Sequence, residues 1–356
     1  MADSLAQKQA YLARALAPWQ AVLAPIQSVA EAGRWGYRRR CTLQLQHIEG
    51  RWQAGMMRRD DFIAIPDCPV QAEEVNRACQ AMLRLLPPPA VAKAAYYLHS
   101  GRQAVIVLKQ KALPATLLAE LEAQAQALVP SLAEGLWLHF HPSAGKRLLA
   151  DGGWHLLAGR PLSQDDEGLW YGPAAFAQLL PGLHRQALAQ AVAHLQPGPG
   201  HAVVDLYCGA GRSLRLFTEA GAHALGVEAG GAAVACAGLN APAAEVLRGN
   251  CFHRLPQVRA WWAAVPQALR LAYVNPPRSG LEPEVLQYLA HEGRPHRLAY
   301  LSCSAGTLAR DLAALEGAGY AVEQLTPYDF FPQTHHVEVL ALLALSPSDI
   351  EIHATH

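Results

Sequence analysis

Residues 201–217, HAVVDLYCGAGRSLRLF, decide the fold. Ala202-Val203-Val204 is a short apolar run closed by Asp205, the pattern of a parallel strand buried on both faces. Gly209-Ala210-Gly211 follows at once, and Leu214, Leu216, Phe217 and Ala220 then recur as one helical face closed by Gly221. Strand, glycine turn and helix bring a backbone close to a ligand, with amide groups exposed where the helix starts. Leu214 occupies the place of the third glycine of a dinucleotide fingerprint, so the turn alone is a weak signal. The next apolar run, His223 to Val227, ends in Glu228, where a carboxylate can accept hydrogen bonds from ribose hydroxyls.

Outward from this stretch, strands and helices alternate toward the C-terminus, as in a doubly wound sheet. Leu271 to Val274, Arg297 to Leu301 and Val337 to Leu345 read as further strands. Upstream, Gln196-Pro197-Gly198-Pro199-Gly200 is a linker, and Ala174 to Leu195 reads as a helix with a weak point at Pro181-Gly182. The front of the chain is different. Residues 4–24 carry an amphipathic helical pattern (Leu5, Tyr11, Leu12, Leu16, Trp19, Leu23). Short alternating strands are expected at Tyr37 to Gln46, Arg51 to Met57, Asp61 to Ile65, Ala94 to His99 and Gln103 to Lys109, with helices over 71–86 and 113–128. The expected organisation is an N-terminal helix over 1–30, a smaller α+β domain over 31–165, and an α/β domain with a mainly parallel sheet over 170–356.

The chain has 356 residues, 51% of them apolar, and no net charge. It can bury normal cores, and no global basic field points to nucleic acid, so any such contact needs a local patch. One exists: Trp35, Tyr37, Arg38, Arg39 and Arg40, with Arg51, Arg58 and Arg59 close in sequence, set aromatic rings beside guanidinium groups. That combination grips phosphates and stacks splayed bases, and it equally describes a sheet edge guarded by charge. Seven cysteines without a C-x-x-C pair point to a reducing cytoplasm rather than to disulfides or zinc. The start lacks a signal-peptide pattern, and no apolar window is long enough to span a membrane.

Each main strand of the second half ends in chemistry: Asp205 with the glycine turn, Glu228, Asn275-Pro276-Pro277-Arg278, and Ser302-Cys303-Ser304. Ligands of open α/β sheets bind outside the carboxyl ends of the strands, so these residues are expected to line one crevice. Cys303 precedes a helix start, where exposed amides favour a thiolate; an inert core cysteine is the alternative. His335-His336-Val337-Glu338 leads into the last strand and offers a base at the same sheet end. Adjacent histidines on extended chain point to opposite faces and no H-E-x-x-H spacing occurs, so no metal is expected.

The set DLYCGAG, GVE, NPPRSGL, SCSAGTLARDL and FFPQTHHVE resembles the RNA (uracil-C5-)-methyltransferases, S-adenosylmethionine enzymes of the class I fold. The resemblance covers about residues 170–345. Over the front half, Tyr37-Arg38 and Asp67-Cys68-Pro69 look like the family's RNA-binding domain. It implies that Cys303 attacks C6 of a uracil and that Glu338 removes the C5 proton after methyl transfer, giving 5-methyluridine in a structured rRNA or tRNA. By the same carry-over Gln178, Tyr207 and Glu228 hold the cofactor, with Gly209, Gly211, Arg212, Asn250 and Asn275 around them. Tyr37, Arg38, Arg39 and Arg40 would then contact RNA. The protein is expected to act as a cytoplasmic monomer.

This sequence departs from the family pattern at Asn275 (usually Asp), Arg212 and Leu180 (both usually Asn). Asn for Asp removes a charge and keeps an acceptor. Some relatives carry an oligonucleotide-binding barrel and a four-cysteine iron–sulfur cluster. No cysteine precedes Cys41, so no cluster is expected, and the stretch before Trp35 is too short for that barrel. Other readings are an amino-group methyltransferase built on Asn275-Pro276-Pro277, a non-catalytic RNA-binding or folding factor, and a binder of another adenosine ligand. The first expects an aromatic residue where Arg278 stands.

Overall fold

The computed structural model describes residues 2–129, 131–145, 148–175 and 178–346. The chain divides into two compact units, one of Glu31–Leu179 and one that joins Met1–Ala30 to Leu180–His356. The N-terminal segment therefore belongs with the C-terminal half. Its helix α1 (Ala2–Ala15) gives way at Leu16 to a 3-10 turn over Ala17–Val22, because Pro18 lacks the amide that would continue an α-helix. The single helix expected over 4–24 is thus two pieces.

The Glu31–Leu179 unit is built on a seven-stranded sheet in the order β3-β2-β1-β4-β5-β6-β7. Its strands are β1 (Arg40–Ile48), β2 (Arg51–Arg58), β3 (Asp61–Ala64), β4 (Ala94–Ser100), β5 (Gln103–Leu108), β6 (Gly135–Phe140) and β7 (Trp154–Gly159). All neighbours run antiparallel except β5 and β6. Helices α2 (Glu73–Leu85) and α3 (Ala115–Gln126) cover one face through Val75, Met82, Leu121 and Ala125. A short hairpin, β8 (Ser163–Gln164) with β9 (Trp170–Tyr171), follows.

The second unit holds α4 (Pro181–Leu195), β10 (Ala202–Leu206), α5 (Arg212–Glu219), β11 (His223–Glu228), α6 (Gly231–Asn240), β12 (Glu245–Arg248), α7 (Cys251–Trp262) and β13 (Arg270–Val274). It continues with α8 (Pro283–Gln287), β14 (Arg297–Ser302), α9 (Ala305–Gly317), β15 (Tyr320–Tyr328) and β16 (Glu338–Leu345). The sheet order is β12-β11-β10-β13-β14-β16-β15. Strands β10 to β14 are parallel, and β16 runs antiparallel to both its neighbours. Chain order reverses between β10 and β13, which opens a crevice at the carboxyl end of β10.

In this unit two strands, β12 and β15, escaped the sequence reading. β12 is a short edge without an apolar run, and β15 carries Glu323 and Pro327, which are tolerated because it too is an edge. The N-terminal segment covers that edge: Ala24 N donates to Leu325 O at 2.8 Å and Gln27 N to Pro327 O at 2.8 Å. Leu12, Leu16 and Trp19 join the core between sheet and helices. Helix α4 starts at Pro181, not at 174, since proline suits a first turn and disrupts an interior one. Among the described residues no helix is long and apolar enough to cross a membrane.

Candidate active site

The glycine turn folds as it does because its geometry excludes most side chains. Gly211 sits at φ +82°, and a Cβ there would stand 2.9 Å from Ala237 Cα of α6. Leu214, in place of a third glycine, finds room because Gly226 on β11 has no side chain: a Cβ at 226 would lie 2.6 Å from Leu214 Cδ1. Tyr207 takes φ +63° at the end of β10, rare for a non-glycine residue and typical of constrained sites. Its hydroxyl donates to Glu282 Oε2 at 3.2 Å, and Phe252 N donates to the same oxygen at 3.2 Å, so Glu282 ties β10 to the start of α7.

Glu228 bridges the glycine turn to the next helix. Its Oε2 accepts from Gly209 N at 3.1 Å and its Oε1 from Gly230 N at 2.6 Å. Each oxygen keeps a further lone pair for a ligand hydroxyl. Gly249 N donates to Glu228 O at 2.9 Å, bringing Asn250, exposed at the cap of α7, beside it. Asn275 N donates to Leu206 O at 3.2 Å, which extends the β10–β13 ladder by one rung and sets Asn275 against Tyr207. Arg212 opens α5, and its charge joins burial in pushing His184 down to about 3.

Asp205 is fully buried. Oδ2 accepts from Ser213 Oγ at 2.5 Å, while Oδ1 has no partner. Burial raises this carboxyl to about 8, so it is mostly protonated at neutral pH. An unfolded Asp ionises near pH 4. The folded protein therefore holds a proton that the unfolded chain lacks between about pH 4 and 8, so this support is full below pH 4, is lost steadily across that window and is gone above 8. Asp205→Asn is expected to be more stable than wild type by about 5 kcal/mol at pH 8 and to melt higher there, with the advantage shrinking toward pH 4. Thermal melts of both proteins at pH 5 and 8 check this; an advantage equal at both contradicts it.

Cys303 and Glu338 lie at the same end of the sheet. Ser302 pairs with Val339 across the antiparallel β14–β16 ladder, Cys303 follows Ser302 just beyond β14, and Glu338 opens β16. Glu338 is 3% exposed and Cys303 is half-buried and free. Burial and the Glu338 charge push the Cys303 thiol above its ordinary range, and Arg278 pulls it back. The helix start expected to favour a thiolate is outweighed by desolvation.

The loop around Arg278 is braced from α9. Buried Asp311 accepts from Leu281 N at 3.0 Å and from Tyr300 Oη at 2.7 Å, and Thr307 Oγ1 donates to Arg278 O at 3.3 Å. Arg278 Nη2 lies 3.2 Å from His336 Nε2. The His335 and His336 rings lie 4.0 Å apart between centroids, because the segment turns instead of running extended; the opposite-face expectation is corrected. Among the described residues no cluster of His, Cys, Asp and Glu has the makings of a metal site.

The structure thus brings Tyr207, Gly209, Gly211, Arg212, Glu228, Asn250, Asn275, Cys303 and Glu338 to one end of one sheet. Gln178 belongs to the other compact unit, and its motif partner Phe176 lies outside the described residues. In that unit Tyr37 is 8% exposed and offers no open face to a base, whereas Trp35 is 41% exposed. Arg38 is half-buried beside Gln71, Arg39 pairs with Glu74, and Arg40 is half-buried in β1. Glu282 and Asp311 were missed as working residues; Glu282 at the cap of α8 offered a signal, while Asp311 in mid-helix offered none.

The residues present fit an adenosine cofactor with a cationic tail. A Cβ at Gly209 would meet nothing within 4 Å, so the turn leaves open space, and the buried Asp205 Oδ1 behind it has no hydrogen-bond partner.

The family model for tRNA (Uracil-5-)-methyltransferase matches residues 250–345. A 23S rRNA (uracil(1939)-C(5))-methyltransferase of Pseudomonas fluorescens is 32% identical, over 97% of this chain and 76% of that protein. An RNA methyltransferase of Thermosynechococcus vestitus is 30% identical over 89% of this chain and 74% of its own length. The crystal structure of the Pyrococcus abyssi tRNA (uracil-54, C5)-methyltransferase with S-adenosyl-L-homocysteine shares the fold, at TM-score 0.68 and 19% identity, over 96% of this chain and 83% of that one. With the glycine turn, Cys303 and Glu338 at one sheet end and these matches together, the chain belongs to the S-adenosylmethionine-dependent RNA (uracil-C5-)-methyltransferases.

Proposed function

We propose that the protein forms 5-methyluridine in a structured rRNA or tRNA through a covalent bond between Cys303 and C6 of the target uracil. The observation that carries this reading is the nearness of Cys303 and Glu338 beside the last rung of the β14–β16 ladder, close enough for the Glu338 charge to act on the thiol. C5 of uracil is a poor nucleophile. Addition of the Cys303 thiolate at C6 moves the C5=C6 electron pair toward C5 and O4, and so makes C5 nucleophilic. Bound S-adenosylmethionine supplies an electrophilic methyl group. Glu338 then takes the C5 proton, the C5=C6 bond reforms, and Cys303 leaves with its electron pair. Arg278 favours the thiolate, which burial disfavours. Tyr207, Glu228, Asn250 and the glycine turn hold the cofactor, and Asn275 lies beside the reacting base. Gln178 completes the set from the Phe-x-Gln motif. The target base must leave its stack to reach such a crevice.

The Glu31–Leu179 unit is the RNA-binding part in this reading, with Arg38, Arg39 and Arg40 on phosphates and Trp35 available for stacking. Changing the three arginines to Ala is expected to weaken RNA binding at least tenfold. The salt slope should flatten by up to about 0.7 per lost contact on single-stranded RNA. Cofactor binding should stay unchanged. Filter binding over a salt series checks this, and an unaltered slope returns these residues to guarding the sheet edge. Cysteines that are all free support a reducing cytoplasm as the working compartment, and we read the enzyme as a monomer there.

Nucleoside mass spectrometry on fractionated RNA, from cells with and without the gene, tests the function. Loss of 5-methyluridine from one RNA class is the expected result. Unchanged 5-methyluridine in every class would overturn the proposal.

A further inference from the structure

The loop that carries Glu338 is held from the far end of the chain. Lys8 of α1 is 2% exposed, and its Nζ lies 2.5 Å from Asp329 Oδ1 and 3.1 Å from Phe331 O. The other Asp329 oxygen accepts from Ser28 Oγ at 3.4 Å, and Asp329 N donates to Gln27 O at 2.8 Å. Ser4 Oγ stands 3.5 Å from Thr334 O. Every one of these bonds joins the first thirty residues to the segment between β15 and β16.

Stability alone does not account for this arrangement. Burying an ammonium and a carboxylate costs each several kcal/mol of desolvation, and apolar side chains of similar volume often serve as well or better. Helix α1 already has apolar anchors in Leu12 and Leu16. What a buried, hydrogen-bonded pair adds is direction. Beyond it the loop is a chain of short contacts. Thr334 Oγ1 donates to Phe331 O at 2.8 Å and accepts from His336 N at 3.1 Å, and His336 Nε2 meets Arg278 at 3.2 Å. Gln333 sits at φ +64°, a conformation its surroundings must impose. Two residues after His336 comes Glu338, whose charge acts on Cys303.

We propose that Lys8 is a positioning residue for the reaction: by gripping Asp329 and the Phe331 carbonyl it fixes the loop that sets Glu338 against Cys303 and His336 against Arg278. The proposal rests on the reading of Glu338 as the base.

The test uses Lys8→Met and the double variant Lys8→Met/Asp329→Leu. The single variant leaves a buried unpaired carboxylate and is expected to melt much lower. The double variant removes both charges and should melt within a few degrees of wild type. Its kcat for 5-methyluridine should nevertheless fall tenfold or more, with KM for RNA unchanged within twofold. Backbone amides of 330–337 should exchange with deuterium at least tenfold faster than in wild type. Wild-type exchange or wild-type kcat in the double variant overturns the proposal, and so does a double variant that fails to fold, since the pair is then a folding element. The exchange measurement needs no RNA. A wild-type protein that methylates nothing would count against the base assignment, while exchange still decides whether the clamp exists.

Discussion

Cys303→Ala is expected to abolish methylation, by a factor on the order of 10⁴ or more, or roughly 5 kcal/mol of transition-state stabilisation. The loss is this large because the nucleophile does not merely accelerate the reaction: without addition at C6, C5 has no electron density to offer. The substitution should cost little stability. Cys303 is half-buried, outside the buried core, and its neighbours Ser302 and Ser304 bond each other and not its sulfur. Binding of cofactor and RNA should therefore persist, which separates a dead enzyme from an unfolded one. Single-turnover transfer of a labelled methyl group to RNA, beside a titration of the cofactor, checks both halves. Residual turnover within a hundredfold of wild type would remove Cys303 from the mechanism.

Glu338→Gln should stop the same reaction at a later point. Glutamine keeps the shape and most of the hydrogen-bonding capacity of the side chain but cannot take a proton. Cysteine addition and methylation of C5 still proceed, while loss of the C5 proton stalls, lowering turnover by about 10²- to 10⁴-fold. The variant should accumulate a protein–RNA adduct that survives denaturing electrophoresis and already carries the labelled methyl. An inactive variant without any adduct would mean that Glu338 acts before or during addition. Normal turnover would show that the base lies elsewhere. A third outcome, an adduct without label, would assign Glu338 to the methyl-transfer step.

Much of the site could be read in the sequence because its residues lie where strand meets turn. Asp205, Glu228, Asn275 and Cys303 each stand at or just after the end of a strand, and a parallel sheet collects such ends by topology. The glycine turn was legible for the same reason, since Gly211 admits no side chain against Ala237. That Cys303 and Glu338 share a sheet end was legible, but the antiparallel insertion of β16 between β14 and β15 leaves no local mark in the sequence.

What stayed hidden depends on partners far away in sequence. Lys8 looks like the polar side of an amphipathic helix, and its carboxylate lies 321 positions on. Glu282 reads as an ordinary acidic helix cap and Asp311 as a mid-helix polar residue, yet one ties Tyr207 to α7 and the other is buried under the Arg278 loop. Tyr37 was expected at the RNA surface on the strength of the arginines after it, but an aromatic ring is as readily core as platform, and here it is buried. The thiol of Cys303 was expected to be activated by a helix start. Its partial burial and the nearby Glu338 charge are properties of the folded sheet end, and they win.

The central claim is that Cys303 and no other cysteine bonds to the RNA. RNA carrying 5-fluorouridine at the target traps the intermediate, since fluorine cannot leave as a proton does. Wild-type protein is incubated with this RNA and methyl-labelled S-adenosylmethionine, then digested, and the cross-linked peptide is sequenced by mass spectrometry. The account predicts one adduct, on the peptide that contains Cys303, bearing the nucleotide and the labelled methyl together. An adduct on Cys208, Cys251 or any other cysteine, or methylated RNA with Cys303 never modified, would contradict it.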